Sequence, residues 1–156
     1  MDPIPLEEFE TQIEVRPLQM QDFDAIIEMQ SKCFPGMPTW TKKHVESQLS
    51  HFPEGQIGIF YEGRLCASSC SLIVDYDLCS DWHDWKAVAD GGFISNHDPN
   101  GDVLYGIEIM VHPDYRGMRL ARRLYTERKR LARERNLEAI VIGGRIPGYA
   151  AHQEEM

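Results

Sequence analysis

The order of hydrophobic patterns along the chain predicts one mixed α/β domain. Segments that alternate like strands and segments spaced like helices follow one another as β, α, α, β, β, β, α, β, an order typical of a sheet with helices packed against it. The 156 residues suit a single domain. With 42% hydrophobic and 26% charged residues, the composition is that of a globular protein rather than a disordered or fibrous chain.

Alternation, spacing and stop signals define the first strand and two helices. Residues 12–18 alternate apolar and polar side chains, as in a half-buried strand. Residues 21–34 carry apolar side chains at nearly helical spacing, and Pro35 stops this helix. A second helix is predicted from a Thr41 cap to the residue before Pro53.

A hairpin and an acidic excursion come next. Residues 57–61 and 64–74 read as antiparallel strands joined by Glu62-Gly63, because glycine tolerates the positive φ of a tight turn. Residues 75–102 contain seven aspartates and turn signals, so we expect an excursion with one short helix. The aspartates follow no ligand spacing of a known metal site, and no metal is assigned.

The last part of the chain predicts a strand, a long helix and a final strand. Residues 103–112 form an apolar strand in which Glu108 lies on the face opposite the neighbouring isoleucines. An amphipathic helix is predicted from about 117 to 136. Residues 137–142 are a short apolar run of the kind found in a buried parallel strand.

The charge distribution limits the partners of this protein. The net charge is −9, yet residues 116–135 carry +7 and the rest of the chain −16. The acidic net charge argues against general nucleic-acid binding. The basic residues after Arg123 are explained as well by a solvated helix face as by a binding site. No run approaches the ~20 apolar residues of a membrane helix. The acidic start is not a secretory signal, so we expect a cytoplasmic protein with no membrane partner and with reduced cysteines.

The most informative stretch, residues 110–121, is a strand that runs into a tight turn and then a helix. Successive backbone N–H groups at a helix N-terminus attract an anion, and Arg116, Arg119 and Arg122 add positive charge there. The residues therefore suggest a diphosphate cradle. Because such turns are common, a purely structural strand-turn-helix remains the alternative.

Arg116–Ala121 (RGMRLA) resembles the acyl-CoA signature of the GNAT acyltransferase superfamily, which is Arg or Gln, two residues, Gly, one residue, then Gly or Ala. Arg119 stands where the family usually has glycine, so the backbone would approach the pyrophosphate past a Cβ atom, although a guanidinium can itself bind phosphate. Longer motifs resemble the N-terminal GNAT domain of bacterial proteins in which it is fused to a carbon-nitrogen hydrolase (nitrilase-like) domain. They are Cys33–Met37, His51–Gly55, Tyr105–Pro113 and Ile142–Pro147.

The resemblance implies the fold and the extent of the domain. We expect a GNAT fold, a mixed central sheet with flanking helices, over residues 1–156, with residues 75–102 as an acidic insertion. A GNAT domain normally continues past its fifth strand with a helix and two strands, so the domain is expected to be truncated after that strand. An unpaired edge there would favour a homo-oligomer.

The resemblance also implies acetyl-CoA as co-substrate, with no metal. Met110 and Val111 would supply main-chain contacts to the pantetheine arm and the thioester. Arg122 would reach a phosphate. The diphosphate would be held by Arg116, Gly117, Met118, Arg119, Leu120 and Ala121.

Three residues are candidates for proton transfer. Glu108 is either a general base or a carboxylate paired with a basic neighbour. His112 is a second base candidate, although its place at the strand end also suits a surface or capping role. Tyr149 lies near where GNAT enzymes often place a tyrosine that protonates the departing thiolate, and a packing role is equally open.

These expectations lead to one leading function and two rivals. The leading hypothesis is an acetyl-CoA-dependent N-acetyltransferase acting on a primary amine of a small molecule or peptide. The first rival is a CoA-binding sensor or regulatory domain of an attached nitrilase-like domain. The second is a purely structural domain that supports oligomer assembly.

Overall fold

A five-stranded sheet forms the centre of the molecule in the computed structural model, which describes residues 5–79 and 90–145. The strands lie in the order β1-β2-β3-β4-β5. Their bounds are β1 Glu14–Pro17, β2 Ile57–Tyr61, β3 Arg64–Val74, β4 Val103–Val111 and β5 Ala139–Arg145. The helices are α1 Leu6–Gln12, α2 Phe23–Cys33, α3 Lys42–His51, α4 Tyr76–Cys79 and α5 Leu120–Glu134.

The sheet is mixed, as the sequence predicted. Strands β1 to β4 are antiparallel neighbours, while β5 runs parallel to β4. At the hairpin between β2 and β3, Glu62 and Gly63 take φ values of 50° and 78°. Because both residues have positive φ, a two-residue turn joins the strands without splaying them.

Helices cover both faces of the sheet. On one face, α2 and α3 pack through Ile26, Met29 and Val45 against Met110 of β4. On the other face, Leu124 of α5 lies in the apolar cluster that also contains Ile109 of β4. The alternation predicted for β4 is therefore confirmed at Ile109 and Met110, which face the apolar layers on the two sides of this strand.

The first helix, α1, was not predicted from the sequence. Phe9 is its one fully buried side chain, at 0% exposure. The Phe9 ring lies 5.0 Å from that of Tyr61 and 5.9 Å from that of Tyr115. A single aromatic anchor thus holds an otherwise acidic helix on the layer that contains α5.

Several predicted boundaries were wrong by a few residues. Helix α5 begins at Leu120 rather than near 117, because Gly117 and Arg119 have positive φ values of 86° and 61° and cannot continue a right-handed helix. Its end is set by Asn136, with φ of 56°. Strand β5 begins later and runs longer than predicted, over Ala139–Arg145.

The acidic excursion contains two short helical pieces where the structure describes it, α4 and a 3₁₀ turn at Asp90–Gly92. Residues 80–89, with Trp82 and Trp85, lie outside the described part. Within residues 5–79 and 90–145, no three His, Cys, Asp or Glu side chains are arranged to hold a metal ion. No helix in the same ranges is long and apolar enough to cross a membrane.

Candidate active site

The two parallel strands, β4 and β5, separate near Glu108. Strand β4 pairs with β5 from Val103 to Gly106, the register then shifts, and the last pair joins Glu108 to Arg145. Strand β4 itself continues to Val111. Its final residues therefore have no strand partner on the β5 side within the described chain, and an opening begins there.

A cleft of about 480 Å³ occupies this opening. One wall is the end of β4, and the other is the N-terminus of α5 with the turn before it. The lining residues are Ile109, Val111, Arg116, Gly117, Arg119, Leu120, Ala121 and Arg122. The sequence-predicted cradle and the end of β4 thus meet at one cavity.

The N-terminus of α5 offers backbone donors to this cleft. Its first helical hydrogen bond runs from Arg123 N–H to the Arg119 carbonyl, so the N–H groups of Leu120, Ala121 and Arg122 have no helical acceptor. The helix dipole adds a partial positive charge at the same end. An anion in the cleft would interact favourably with both the N–H groups and the helix dipole.

Three exposed arginines surround these donors. Arg116, Arg119 and Arg122 form no ion pair within residues 5–79 and 90–145. Arg119 takes the left-handed conformation that glycine adopts freely. The backbone geometry expected from glycine is thus kept, and a guanidinium is added to it.

Two residues of the predicted cofactor site are directed elsewhere by their backbone. His112 N–H donates to the Cys66 carbonyl, so His112 belongs to a hydrogen-bonded pair between β4 and β3. Hydrogen-bonded and non-hydrogen-bonded pairs alternate along antiparallel strands. Met110, two residues before His112, is therefore hydrogen-bonded as well, and its main chain faces Ser68 of β3 rather than the cleft. Its side chain is buried against α2. Met118 N–H bonds to the Tyr115 carbonyl at 3.3 Å, which closes the turn. Sequence analysis missed Ile109, which lines the cleft beside Val111.

Cys33 touches the same end of β4 from the α2 side. Its Sγ donates to the Val111 carbonyl at 3.3 Å. Burial raises the pKa of the Cys33 thiol, and the nearby Arg116 guanidinium only partly opposes this. Cys33 is thus a protonated donor, and it is free, as are the buried Cys66 and Cys70.

Glu108 is buried on the face of the sheet opposite the cleft, with 3% of its surface exposed. Its carboxylate accepts hydrogen bonds from Gln30 Nε2 at 2.9 Å and from Trp40 Nε1 at 3.2 Å. Gln30 in turn accepts a hydrogen bond from the Trp40 backbone N–H. These neutral donors hold the carboxylate at the point where β4 and β5 separate. Trp40 is therefore a core residue that positions Glu108.

His112 is a buried capping residue rather than a surface one. Its Nδ1 accepts from Asp114 N–H at 3.1 Å and so caps the turn that leads to the cradle. Its Nε2 faces Lys32 Nζ at 3.4 Å and Arg64 Nη2 at 3.5 Å. Burial is the main cause that lowers the pKa of His112; Asp114 opposes it, and Lys32 and Arg64 add to it.

His112 makes folding stability depend on pH. Its pKa is lower in the folded state than the ordinary 6.5, so between the two values the unfolded chain binds more protons, and stability falls as the pH drops below about 6.5. We expect His112→Asn, whose side-chain oxygen can still cap Asp114 N–H, to flatten this loss in urea titrations at several pH values. The exposed His51→Asn is the control. An unchanged slope in His112→Asn would contradict the assignment.

The third candidate for proton transfer, Tyr149, lies outside the described residues.

The chain belongs to the Acetyltransferase (GNAT) family, whose sequence profile matches residues 23–153. The architecture agrees, since a mixed five-stranded sheet with helices on both faces is the GNAT fold that the sequence predicted. The family places this protein among acetyltransferases. No particular reaction follows from the match alone.

Two curated proteins of Bacillus subtilis are similar to this chain. It is 48% identical over 151 residues to the "Probable hydrolase YhcX" of Bacillus subtilis (strain 168), covering 97% of this chain but 29% of that protein. It is 33% identical over 146 residues to the "Uncharacterized N-acetyltransferase YkwB" of the same organism, covering 91% of this chain and 65% of that protein. The chain therefore spans less than two thirds of the length of either curated relative.

Among solved structures, the GphF GNAT-like decarboxylase in complex with isobutyryl-CoA superposes with a TM-score of 0.74. The identity is 19%, and the match covers 91% of this chain and 71% of that one. At this identity the likeness shows the fold alone.

Proposed function

We propose that this chain is an N-acetyltransferase domain that transfers the acetyl group of acetyl-CoA to a primary amine. The observation that carries the proposal is the cleft at the end of β4, where unpaired helix N–H groups meet three arginines without ion-pair partners in the described chain. An acyl-CoA carries a diphosphate of matching charge, and members of this family typically use acetyl-CoA.

The cleft would hold acetyl-CoA through two sets of groups. The N–H groups of Leu120 and Ala121, with the guanidinium groups of Arg116, Arg119 and Arg122, would bind the diphosphate. The carbonyl of Ile109 and the main chain of Val111 would pair with the pantetheine arm, on the side of β4 where no strand pairs with them in the described chain. This assignment replaces Met110 by Ile109, because the main chain of Met110 faces β3.

Transfer requires a neutral amine and a leaving thiolate. The amine nitrogen forms a bond to the acyl carbon, the C–S bond breaks, the thiolate takes up a proton and the new amide loses one. Glu108 would accept the proton of the amine at the gap between β4 and β5, and Tyr149 would protonate the thiolate. The acceptor would be an amine of a small molecule or peptide.

The similarity to a protein called a hydrolase suggests a second role. One relative is called a hydrolase, and this chain matches only 29% of it, so in such a protein the domain would adjoin a separate catalytic unit. A domain that binds acetyl-CoA but transfers to no amine would be a sensor for that unit. The same cleft serves both roles, so binding and transfer have to be measured separately.

The proposal is tested by calorimetric titration of acetyl-CoA into the chain and its variants. Because a hydrogen bond to a charged group contributes about 1.5–3 kcal/mol, Arg116→Ala and Arg122→Ala should each weaken binding by about tenfold or more. Lys129→Ala, an exposed cation on α5 that does not line the cleft, should leave affinity unchanged. An amine screen that follows the release of free thiol would then test transfer.

Three results lead to different conclusions. Binding with transfer supports the acetyltransferase. Binding without transfer to any amine, and with no effect of Glu108→Gln, would favour the sensor. No binding by a folded chain, seen as an unshifted melting temperature in excess acetyl-CoA, would overturn the proposal, because a ligand of the native state must stabilise it.

A further inference from the structure

Arg128 is a buried cation whose burial is unfavourable by itself. It lies in α5 on the side that faces the sheet, with 1% of its surface exposed. Burial lowers its pKa to about 10, so it stays charged near neutral pH. No carboxylate lies within ion-pair distance of Arg128 in the described part of the chain. A buried charge without an ion partner is costly unless it is well hydrogen-bonded.

The guanidinium is instead fixed on the backbone of the sheet. Its Nε donates to Ser69 Oγ at 2.7 Å, and its Nη2 donates to the carbonyls of Cys70 at 3.1 Å and Glu108 at 3.0 Å. These carbonyls stand where the β3–β4 register shifts. Glycine at position 106 leaves space for the Arg128 guanidinium, because a Cβ atom there would collide with it.

The Glu108 carbonyl and the Ile109 N–H belong to one peptide unit. In a trans peptide the two groups point in opposite directions. The carbonyl points towards β3 and Arg128, so the N–H points towards the other edge of β4, where pairing with β5 ends and the cleft begins. A cation on the carbonyl draws electrons through the peptide and strengthens its N–H as a donor.

We propose that Arg128 is a positioning residue that orients and polarises the Glu108–Ile109 peptide, so that Ile109 N–H donates to the thioester carbonyl of bound acetyl-CoA. This inference rests on the proposed function. Negative charge develops on that oxygen when the amine attacks, and a donor fixed in advance stabilises it. Arg128 itself touches neither acetyl-CoA nor the amine.

The carbonyl band of bound acetyl-CoA reports this effect directly. Acetyl-CoA labelled with ¹³C at the thioester carbonyl is bound to the full chain, and its infrared band is compared with that of the free molecule. We expect a shift to lower frequency in the wild type, most of which is lost in Arg128→Met. Arg128→Lys, which keeps the charge but not the fork of donors, should retain more of the shift. Lys129→Met is the matched control on α5 and should behave like the wild type.

Affinity for CoA, which has no thioester carbonyl, separates this effect from damage to the site. CoA affinity should be the same in Arg128→Met and the wild type, because the diphosphate cradle lies elsewhere. With a working amine, kcat should fall by about tenfold to a hundredfold while KM for acetyl-CoA changes little. A variant that binds CoA normally and shows the wild-type band shift would overturn the inference.

Three further outcomes are also decisive. If Arg128→Met does not fold, Ser69→Ala removes the Nε partner and lets the guanidinium move, and the band shift should shrink; an unchanged shift would overturn the inference. If the wild type does not bind acetyl-CoA, the proposed function fails and this inference fails with it. Binding by the wild type without any band shift overturns the inference alone.

Discussion

Phe9→Ala is expected to lower the free energy of unfolding by about 3 kcal/mol, because truncating a buried phenylalanine removes its apolar contacts and leaves a cavity. The ring is fully buried and packs on Tyr61 and Tyr115. Urea unfolding followed by fluorescence measures the change. Glu7→Ala, an exposed substitution in the same helix, should have little effect.

The same variant should also weaken acetyl-CoA binding. Tyr115 closes the turn before the cradle, since its carbonyl accepts the Met118 N–H. Without the ring of Phe9, one side of Tyr115 loses its packing, and the turn is held less firmly. Wild-type stability and affinity in Phe9→Ala would mean that α1 is not docked on the sheet in solution.

Helix α1 could not be predicted because it lacks the pattern on which helix prediction depends. Phe9 is the single buried residue of a helix whose first turn carries Glu7 and Glu8. A single buried residue gives no hydrophobic periodicity from which a helix could be predicted. The helix is stabilised by the aromatic cluster of Tyr61 and Tyr115, residues far away in the sequence.

Most of the cleft could be predicted from the sequence, and the choice of Met110 instead of Ile109 has one physical cause. The turn at Arg116–Ala121 and the two faces of β4 follow from local sequence, and the structure has both. The register shift near Ile107 does not follow from local sequence, because β4 is buried on both sides and its apolar run looks the same in either register. Sequence reasoning therefore chose Met110 where the backbone presents Ile109.

The burial of Arg128 is a second feature that local sequence could not predict. Within a run of arginines it reads as part of a solvated helix face, and its neighbours Lys129 and Arg130 are indeed exposed. Its burial depends on Gly106 and on the carbonyls freed by the register shift. Only the assembled sheet brings these groups together.

Glu108→Gln is expected to lower kcat by about 10²- to 10⁴-fold, the usual contribution of a general base, while acetyl-CoA affinity stays unchanged. The measurement is steady-state acetyl transfer to the best amine of the screen, with acetyl-CoA binding followed by calorimetry. Glu108 can act on the amine although the cleft is on one face of β4 and the carboxylate on the other. An amine beside Glu108 would reach the thioester through the gap beyond the Glu108–Arg145 pair.

The substitution also disturbs structure, and a second variant separates the two effects. A glutamine offers one acceptor oxygen where Gln30 Nε2 and Trp40 Nε1 now donate to two, so its amide nitrogen would face a donor and cost about 1–3 kcal/mol of stability. Trp40→Phe removes one donor but keeps the carboxylate, so it should lose stability and keep most of the transfer rate. If instead both variants lose transfer in proportion to stability, Glu108 joins α2 to the sheet and the base is another group.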